Sequence, residues 1–408
     1  MVTILLQAGC RDAPVEKPAD PPSHPPTHPA TLIPVPDRAP LIRVRLHRLD
    51  RPNAMVLIGG DGQHLDVGGE TMPGPVAVRR RHGRWVIDGR HLPADVSKSK
   101  ALDVRSGSPL TVSGEANRTY PGTIRCVADR EGDAFDVLNV LPMEAYIPGV
   151  LAGELFEGWH DAAFEAQAIA ARSYAVSECH ERQNRTWDVT DTPASQHYIG
   201  VPTWSQAVTT AKATEGQLLV WNGSVVPGYF SSCCGGRAAT ASDAVGPNPV
   251  NAVPPLDGHS DPPHCSNAPR YTWEATWDAT RVAEALRAHG SRIGDHDLAG
   301  IKRVTSIRSM KPNRHGRPTL LQIQDGSRTV TMRCVDFPGS VASSGIEPVA
   351  SGWIDAVERD GELHVRGHGF GHGVGLCQYG AEELASSSST PHDILQFYYP
   401  GAEIRKAW

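Results

Sequence analysis

Short runs of alternating apolar and polar residues fill the first part of the chain that can fold. The run LIRVRLHRL, which starts at Leu41, alternates with a period of two, as a strand with one buried face does. Similar runs follow between Gly, Pro and Asp turns: AMVLIG, PVAVRRR, RWVIDG, ALDVRSG, LTVSG, TIRCVAD and FDVLNVL. Residues 41–141 are therefore predicted to be mostly β structure.

Helical patterns begin near Glu144, where Pro148 suits the first turn of a short helix that ends at Gly153. After Gly158, the run DAAFEAQAIAARSYAVSECH is rich in alanine and contains no breaker, so it predicts the longest helix of the protein. Further predicted elements are a helix over 204–212, a hairpin turn at Asn222-Gly223, a helix over 278–289 ended by Gly290, and a helix capped by Thr390. Strands followed by helices and then mixed elements favour an α+β fold, with a mostly β N-terminal part and a mixed helix/strand core.

The first forty residues follow neither pattern. MVTILLQAGC resembles the end of a bacterial lipoprotein signal in which Cys10 carries the lipid, although no basic segment precedes the apolar run. A chance cysteine in a frayed terminus is the alternative. Residues 11–40 are one-third proline and nearly lack large apolar residues, which predicts an extended tether or a tail without a role. No apolar run reaches the length of a membrane-spanning helix.

Charge and length exclude some functional classes. The 408 residues carry 39 basic and 45 acidic side chains, a formal net charge of -6 at pH 7. A nucleic-acid-binding protein would show a clustered basic excess, so no nucleic-acid partner is predicted. The chain is long enough to bury a core without disulfide bonds.

Three stretches carry candidate chemistry: VLPMEAYIPGVLAGELFEGWHDAAFEAQAIAARSYAV at 140–176, GYFSSCCGGRAA at 228–239, and GHGFGHGVGLCQYGAEELA at 367–385. In this order, and with ILQFYYPGAEI after them, they resemble the SpoIID/LytB family of bacterial cell-wall proteins. The resemblance runs from about Arg43 to the C-terminus. It implies one unit over 41–408, with a β-rich part over 41–141 and a catalytic-type core over 142–408 that carries an insertion at about 237–275.

The resemblance implies a lyase, a peptidoglycan lytic transglycosylase that cleaves glycan strands from which the stem peptides have been removed. The alternative is a non-catalytic, glycan-binding enhancer of an N-acetylmuramoyl-L-alanine amidase. Both imply an extracytoplasmic protein, in the periplasm or cell envelope, with peptidoglycan glycan strands as its partner. The enhancer adds a cell-wall amidase as a partner. If Cys10 carries a lipid, the protein also contacts the membrane. A metal-dependent hydrolase that uses the histidines is a third hypothesis.

Glu154 matches the position of the family's catalytic glutamate. One carboxyl group suffices for a lytic transglycosylase, because it first protonates the glycosidic oxygen and then serves as base for the sugar's own 6-hydroxyl. Leu151, Leu155 and Phe156 can supply the apolar setting that raises the pKa of such an acid. Without the resemblance, a glutamate after glycine at a helix end is more often a solvated surface residue.

The resemblance also implies residues that support catalysis or bind substrate: Arg172, Gln167, Gln196, Tyr198, Ser232, His368, His372 and Gln378. Arg172 either holds Glu154 or a sugar substituent with its planar donor fork, or forms a structural ion pair. Gln167 suits packing as well as ligand contact.

Five glycines surround His368 and His372, so the H-x3-H spacing is not on a helix and does not predict a zinc pair. A loop that lines a cleft is favoured, and a structural turn is the alternative. Trp159, Tyr198 and Tyr229 are candidates for stacking on sugar rings or for the core.

Some members of the family bind zinc through a His/Cys set that follows the long helix. Here Thr190, Ala194 and Ser195 stand where those ligands are expected, so no metal and no other cofactor is predicted.

The cysteines leave several states open. Cys234 just before the insertion and Cys265 within it are the preferred disulfide pair in an exported protein. An unrelated metal cluster of Cys233, Cys234, His264 and Cys265 is an alternative, as are buried thiols. Cys377, within the third motif, is expected to be a buried thiol.

Overall fold

The computed structural model describes residues 32–49, 51–60, 63–88, 90–113, 118–129, 132–259, 264–326 and 328–408. Strands grouped in several sheets and helices of similar total length form an α+β fold, which confirms the predicted class. The predicted anchor with Cys10 and residues 11–31 of the predicted tether lie outside the described residues. Within the described part, no helix is both long enough and apolar enough to cross a membrane.

The N-terminal part is built from strands, as the alternating pattern predicts. Its elements are β1 (Leu41–Arg45), β2 (Ala54–Ile58), β3 (His64–Val67), β4 (Glu70–Pro73), β5 (Val76–Arg81), β6 (Arg84–Ile87), β7 (Arg90–His91), α1 (Ala94–Ser97), β8 (Ala101–Arg105), β9 (Leu110–Val112), β10 (Thr119–Tyr120), β11 (Thr123–Ala128) and β12 (Phe135–Pro142). In β1 the apolar Ile42 and Val44 are buried, whereas Arg43 and Arg45, which alternate with them, are half-buried.

The middle of the chain supplies the helices that hold the first motif. The elements are α2 (Met143–Glu154), α3 (Asp161–Glu181), β13 (Val189–Thr190), α4 (Gln206–Ala213), β14 (Gln217–Trp221), β15 (Ser224–Val225) and β16 (Phe230–Ser231). The hairpin between β14 and β15 turns at Asn222 and Gly223, whose φ angles of 47° and 78° are both left-handed, as the sequence predicts for a two-residue turn.

The C-terminal part mixes helices and strands. Its elements are α5 (Ala241–Ala244), β17 (Thr272–Asp278), α6 (Ala279–Ile293), α7 (His296–Ala299), β18 (Ser306–Pro312), β19 (Pro318–Asp325), β20 (Arg328–Arg333), α8 (Phe337–Val341), β21 (Ile354–Arg359), β22 (Glu362–His368), β23 (Leu376–Cys377), α9 (Gln378–Ser386), α10 (Pro391–Tyr398) and β24 (Glu403–Lys406). Short 3-10 turns lie at His47–Leu49, Pro249–Asn251, Pro254–Leu256, Cys334–Asp336 and Ala342–Ser344.

The strands form five sheets among the described residues. Two sheets, ordered β13-β1-β12-β11-β8-β3-β4 and β10-β9-β2-β5-β6-β7, share one apolar core with α2, α3 and α4. A sheet ordered β17-β22-β21-β18-β19-β20 encloses a separate core with α6 and α8. The small sheets β15-β14-β24 and β16-β23 contribute to a third core with α3, α9 and α10.

The pair β16-β23 positions the functional site. It is parallel, with Phe230 opposite Leu376 and Ser231 opposite Cys377, so it joins the second sequence motif to the third. Directly after β23 the chain enters α9, which packs on α3 of the first motif. All three motifs therefore meet at one place in the fold.

Three predicted boundaries are wrong. The helix predicted to have Pro148 in its first turn begins at Met143, so Pro148 lies inside α2. The predicted tether does not extend to residue 40, because Ile33 is fully buried and its carbonyl accepts a hydrogen bond from Val225 N at 2.9 Å. The helix predicted to end at Gly290 continues to Ile293 and is followed by the left-handed Gly294. Gly290 instead lets α7 approach closely, since a Cβ there would lie 2.4 Å from the nitrogen of Ala299.

Candidate functional site

A cleft of about 670 Å³ opens where the three motifs meet. The first motif contributes Glu154, the second contributes Ser232, and the third contributes His372 and Gln378 to its lining. The segment after the long helix adds His197. The structure thus brings Glu154 together with three of the residues predicted to support it.

Glu154 is held on both carboxyl oxygens. It is the last residue of α2. The backbone N–H of His197 donates to Oε1 at 2.7 Å, and the side-chain amide of Gln378 donates to Oε2 from Nε2 at 3.1 Å. These two donors come from different segments and fix the carboxyl plane, so the group faces the cleft in one orientation.

The surroundings of Glu154 favour its protonated form. Burial raises the pKa of its carboxyl above the ordinary value, and the hydrogen bonds from His197 and Gln378 oppose this shift without cancelling it. The buried Leu151 and Leu155 lie on the same helix end, whereas Phe156 is 59% exposed. An acid with a raised pKa is what protonation of a leaving-group oxygen requires near neutral pH.

His197 was missed by the sequence interpretation, although its neighbours Gln196 and Tyr198 were singled out. Its Nδ1 lies 2.7 Å from the carbonyl oxygen of Gly153, so Nδ1 carries the proton and donates. Burial lowers the pKa of the ring, which keeps it neutral and leaves Nε2 as an acceptor without a hydrogen-bond partner among the described residues. The sequence signal that could have identified His197 was its position between Gln196 and Tyr198, in a segment that the family resemblance already singled out.

Among the described residues that line the cleft, Glu154 is the only carboxylate. Much of the lining is aromatic. Trp159 lies 5.4 Å from Phe156 and 5.1 Å from Tyr379, measured between ring centroids, and these three rings form one continuous cluster. Phe370 is 46% exposed and also lines the cleft, with the guanidinium of Arg270 5.8 Å from its ring centre. Exposed aromatic faces beside one acid suit a sugar chain.

The glycine-rich loop contributes one of its two histidines. His372 lines the cleft, and its Nδ1 accepts a hydrogen bond from Val374 N at 3.0 Å. Burial, reinforced by the nearby charge of Arg317, lowers the pKa of His372 to about 4, so the ring is neutral at pH 7. His368 does not line the cleft, because its ring stacks on Trp353 with 4.5 Å between centroids.

Arg172 does not contact Glu154, and the predicted support of the acid by this arginine is wrong. The side chain is fully buried, and its Nε and Nη2 donate to Glu144 Oε1 and Oε2 at 3.0 and 2.9 Å. Other donors reach the carbonyl oxygens of Ala168, Ala211 and Gln217. Arg172 therefore joins α2, α3, α4 and β14, which is the alternative of a structural ion pair.

Three further predicted residues are buried away from the cleft lining. Gln196 accepts from the Tyr146 hydroxyl at 3.0 Å and donates to Ala171 O at 3.2 Å. The Tyr198 hydroxyl donates to Asn139 at 2.8 Å, so Tyr198 belongs to the core and does not stack on a sugar. Gln167 is fully buried on α3, and its amide atoms have no partner among the described residues. Gln196 and Tyr198 act on the site indirectly, by fixing the segment that carries His197.

The predicted disulfide partners lie side by side. The sulfur atoms of Cys234 and Cys265 are 3.5 Å apart and are not bonded to each other, so the pairing stays a prediction.

Comparison with known proteins agrees with the motifs. A family model described as "Stage II sporulation protein" matches residues 131–221, which include Glu154 and the whole of α3. An uncharacterized protein of Brachyspira hyodysenteriae is 32% identical over 274 residues, which cover 67% of this chain and 69% of that protein. The "Stage II sporulation protein D" of Bacillus subtilis is 27% identical, over 65% of this chain and 75% of its own.

A second relative from Bacillus subtilis, named "Amidase enhancer", is 24% identical over 63% of this chain. The match spans only 40% of that protein's length. The family model, these relatives and the three motifs around one cleft agree, and they show that the chain belongs to the SpoIID/LytB family.

Proposed function

We propose that this protein is a peptidoglycan lytic transglycosylase that cleaves glycan strands stripped of their stem peptides, with Glu154 as the acid and then the base. The observation that supports the proposal is a single carboxyl group, held on both oxygens and shifted toward its protonated form, in an aromatic-lined cleft.

The chemistry needs one proton carrier. Protonated Glu154 donates its proton to the glycosidic oxygen, the bond from that oxygen to C1 breaks, and the leaving sugar departs with a new hydroxyl. The 6-hydroxyl oxygen of the same sugar that carries C1 then attacks this electron-poor carbon, and the Glu154 carboxylate takes the hydroxyl proton. The product carries a 1,6-anhydro ring, Glu154 is protonated again, and no water is consumed.

A hydrolase with two catalytic carboxylates fits this cleft less well. Retaining and inverting glycosidases place a second carboxyl group about 5 to 9.5 Å from the acid, as nucleophile or as base for water. Among the described lining residues no second carboxylate occupies that place. Attack by a hydroxyl of the substrate itself removes the need for one.

Binding of a glycan relies on ring faces and on close backbone approach. Trp159, Phe156 and Tyr379 offer aromatic faces at one stretch of the lining, and Phe370 with Arg270 offers another.

The direct test is the product of peptide-stripped glycan, analysed by mass spectrometry. The wild-type protein is expected to release fragments with anhydromuramyl ends, which are lighter by one water molecule than hydrolysed ends. Glu154→Gln should abolish release while its circular dichroism spectrum remains that of the wild type. The matched control is Glu157→Gln, an exposed carboxyl three residues away, which should keep full activity. Release by Glu154→Gln, or hydrolysed ends from the wild type, would contradict the proposal.

The second candidate is a non-catalytic, glycan-binding enhancer of an N-acetylmuramoyl-L-alanine amidase, and the relative named "Amidase enhancer" favours it. An enhancer releases no glycan fragments alone but raises the rate of a purified amidase on intact peptidoglycan. The two assays together separate the candidates. Amidase stimulation that persists in Glu154→Gln supports the enhancer, whereas stimulation that is lost with glycan cleavage supports the lytic transglycosylase.

Either function places the protein outside the cytoplasm, where peptidoglycan lies. We propose the periplasm or cell envelope as its location, peptidoglycan glycan strands as its binding partner and, for the enhancer, a cell-wall amidase. Lipidation of Cys10 would hold it at a membrane, with residues 11–31 as a spacer, and both features belong to the proposal only.

A further inference from the structure

Four cysteines converge directly behind the cleft. Cys233 and Cys234 follow β16, Cys377 ends β23, and Cys265 comes from the segment between α5 and β17. All four are buried. The sulfur atoms of Cys233, Cys265 and Cys377 lie within 4.8 Å of one another, and the sulfur of Cys234 is 3.5 Å from that of Cys265.

We infer that these residues bind one zinc ion, with Cys233, Cys265 and Cys377 as three thiolate ligands and Cys234 next to the fourth position. Tetrahedral zinc binds thiolate sulfur at about 2.3 Å, which separates neighbouring sulfurs by about 3.8 Å. The spacing within the cluster is of this size, and a cluster of thiolates selects a soft cation such as zinc over magnesium or calcium.

Backbone donors already point at the sulfurs. The N–H of Cys234 lies 3.4 Å from the sulfur of Cys377, and the N–H of Gly235 lies 3.4 Å from that of Cys233. Such donors stabilise negative charge on sulfur, as the outer hydrogen bonds of metal thiolates do.

A buried cation beside the cluster is the independent observation. Arg317 is 5% exposed and donates to the carbonyl oxygens of Cys234 and Arg237. None of the salt bridges among the described residues includes Arg317, and a buried guanidinium without a nearby negative charge is strongly destabilising. Three thiolates with one divalent cation carry a net charge of -1, which Arg317 balances.

A disulfide explains less of this arrangement. Bonding Cys234 to Cys265 would use two of the four sulfurs and would leave Cys233 and Cys377 as uncharged thiols next to an unbalanced Arg317. Zinc gives a role to the whole cluster. The inference departs from the expectation of no metal, which rested on the absence of ligands at Thr190, Ala194 and Ser195, in a different part of the chain.

The ion's position assigns it a structural role. Cys377 directly precedes Gln378, which donates to Glu154, and Cys233 itself lines the cleft. Zinc would tie the second and third motifs to the Cys265 segment and thereby fix the amide that orients the acid. This role is independent of whether the cleft cleaves glycan or only binds it.

The test is the metal content of the full chain, purified without chelator or reductant and measured by inductively coupled plasma mass spectrometry. About one zinc ion per chain is expected, with release when a mercurial reagent titrates the thiols. Cys265→Ser and Cys377→Ser should lose the metal. The control Cys126→Ser, at a buried thiol of β11 in the core shared by the two N-terminal sheets, should keep the metal.

A measurement on the wild-type chain keeps the test decisive if these variants fail to fold. Replacement of zinc by Co2+ should produce the intense near-ultraviolet absorption of thiolate-to-cobalt charge transfer, which only sulfur ligation gives. A wild-type chain without bound metal, in which peptide mapping finds Cys234 joined to Cys265, would overturn the inference.

Discussion

Gln378 donates a hydrogen bond to Glu154 across 224 positions of the chain. Gln378 is the first residue of α9 and Glu154 is the last residue of α2, so two helix ends meet at the acid. The contact makes the third sequence motif part of the acid's environment, since the bond favours the charged form of the carboxyl. A substitution at Gln378 should therefore change the pKa of Glu154.

Gln378→Leu is expected to move the alkaline limb of the pH–kcat/KM profile to higher pH. The hydrogen bond from Gln378 lowers the pKa of Glu154, so its loss raises that pKa further, and the acid stays protonated to higher pH. The maximal rate should fall by about 10- to 150-fold, because a hydrogen bond to a charged group contributes about 1.5–3 kcal/mol and a factor of ten in rate is about 1.4 kcal/mol. Rates of fragment release between acid and alkaline pH measure both effects.

The control for this experiment is Gln183→Leu, an exposed glutamine just after α3 that does not line the cleft. Its profile should coincide with that of the wild type. An unchanged alkaline limb in Gln378→Leu would show that the hydrogen bond does not govern the protonation of Glu154.

Glu154→Gln is expected to stabilise the protein at neutral pH while removing its activity. Burial raises the pKa of Glu154 in the folded state above its unfolded value, so the folded chain favours the protonated carboxyl. That contribution is fully present below the unfolded pKa of about 4.3 and is lost as pH rises through the folded pKa. An amide never ionises and avoids the loss.

Urea unfolding of both chains over a series of pH values measures this effect. The difference in unfolding free energy should be small in acid, grow as the pH rises above the unfolded pKa, and become constant above the folded pKa. Glu157→Gln, at an exposed position, should show no such growth. A difference independent of pH would mean that burial does not perturb Glu154.

Arg172→Met is expected to destabilise the fold by about 3–5 kcal/mol, the usual effect of removing one partner of a buried ion pair. It leaves Glu144 without its bidentate partner and frees three backbone carbonyl oxygens. The fraction that remains folded at low temperature should keep the wild-type alkaline limb, because Arg172 does not contact Glu154. Urea unfolding and a cold activity assay check the two parts. A shifted limb with unchanged stability would restore a direct role for Arg172 at the acid.

The sequence predicts a helix end correctly where residues close in the sequence form the cap. Thr390 and Asp393 form the reciprocal capping box of α10, as their types and spacing indicate. Gly290 shows the limit of such predictions. Glycine often ends a helix, yet α6 continues past Gly290. The glycine is used there because α7 packs so closely on α6 that a side chain would not fit.

The candidate site shows the same limit. The family resemblance leads to Glu154 and Gln378, but spacing along a helix does not reveal that Arg172 turns toward Glu144. The role of His197 is equally hidden, because it acts on the acid through its backbone N–H, which no side-chain pattern announces. Contacts between distant segments decide both cases.

Gly153 provides a test of the close approach on which the acid depends. A Cβ at this position would lie 2.1 Å from the carbonyl oxygen of His197, which is backbone and cannot move without the whole segment. Replacement of glycine by alanine inside an exposed helix usually stabilises a protein by about 1 kcal/mol. Gly153→Ala is expected to destabilise this one instead.

The displaced segment also carries the N–H that donates to Glu154 at 2.7 Å. Loss of that bond raises the pKa of Glu154, since the bond lowers it, so the alkaline limb of Gly153→Ala should move to higher pH while the rate falls. Gly339→Ala, at an exposed position inside α8, is the matched control: nothing lies within 4 Å of a Cβ there, so it should be stabilised by up to about 1 kcal/mol and keep the wild-type pH profile. If Gly153→Ala were more stable than the wild type and kept its pH profile, the approach of the His197 segment to α2 would not be what orients the acid.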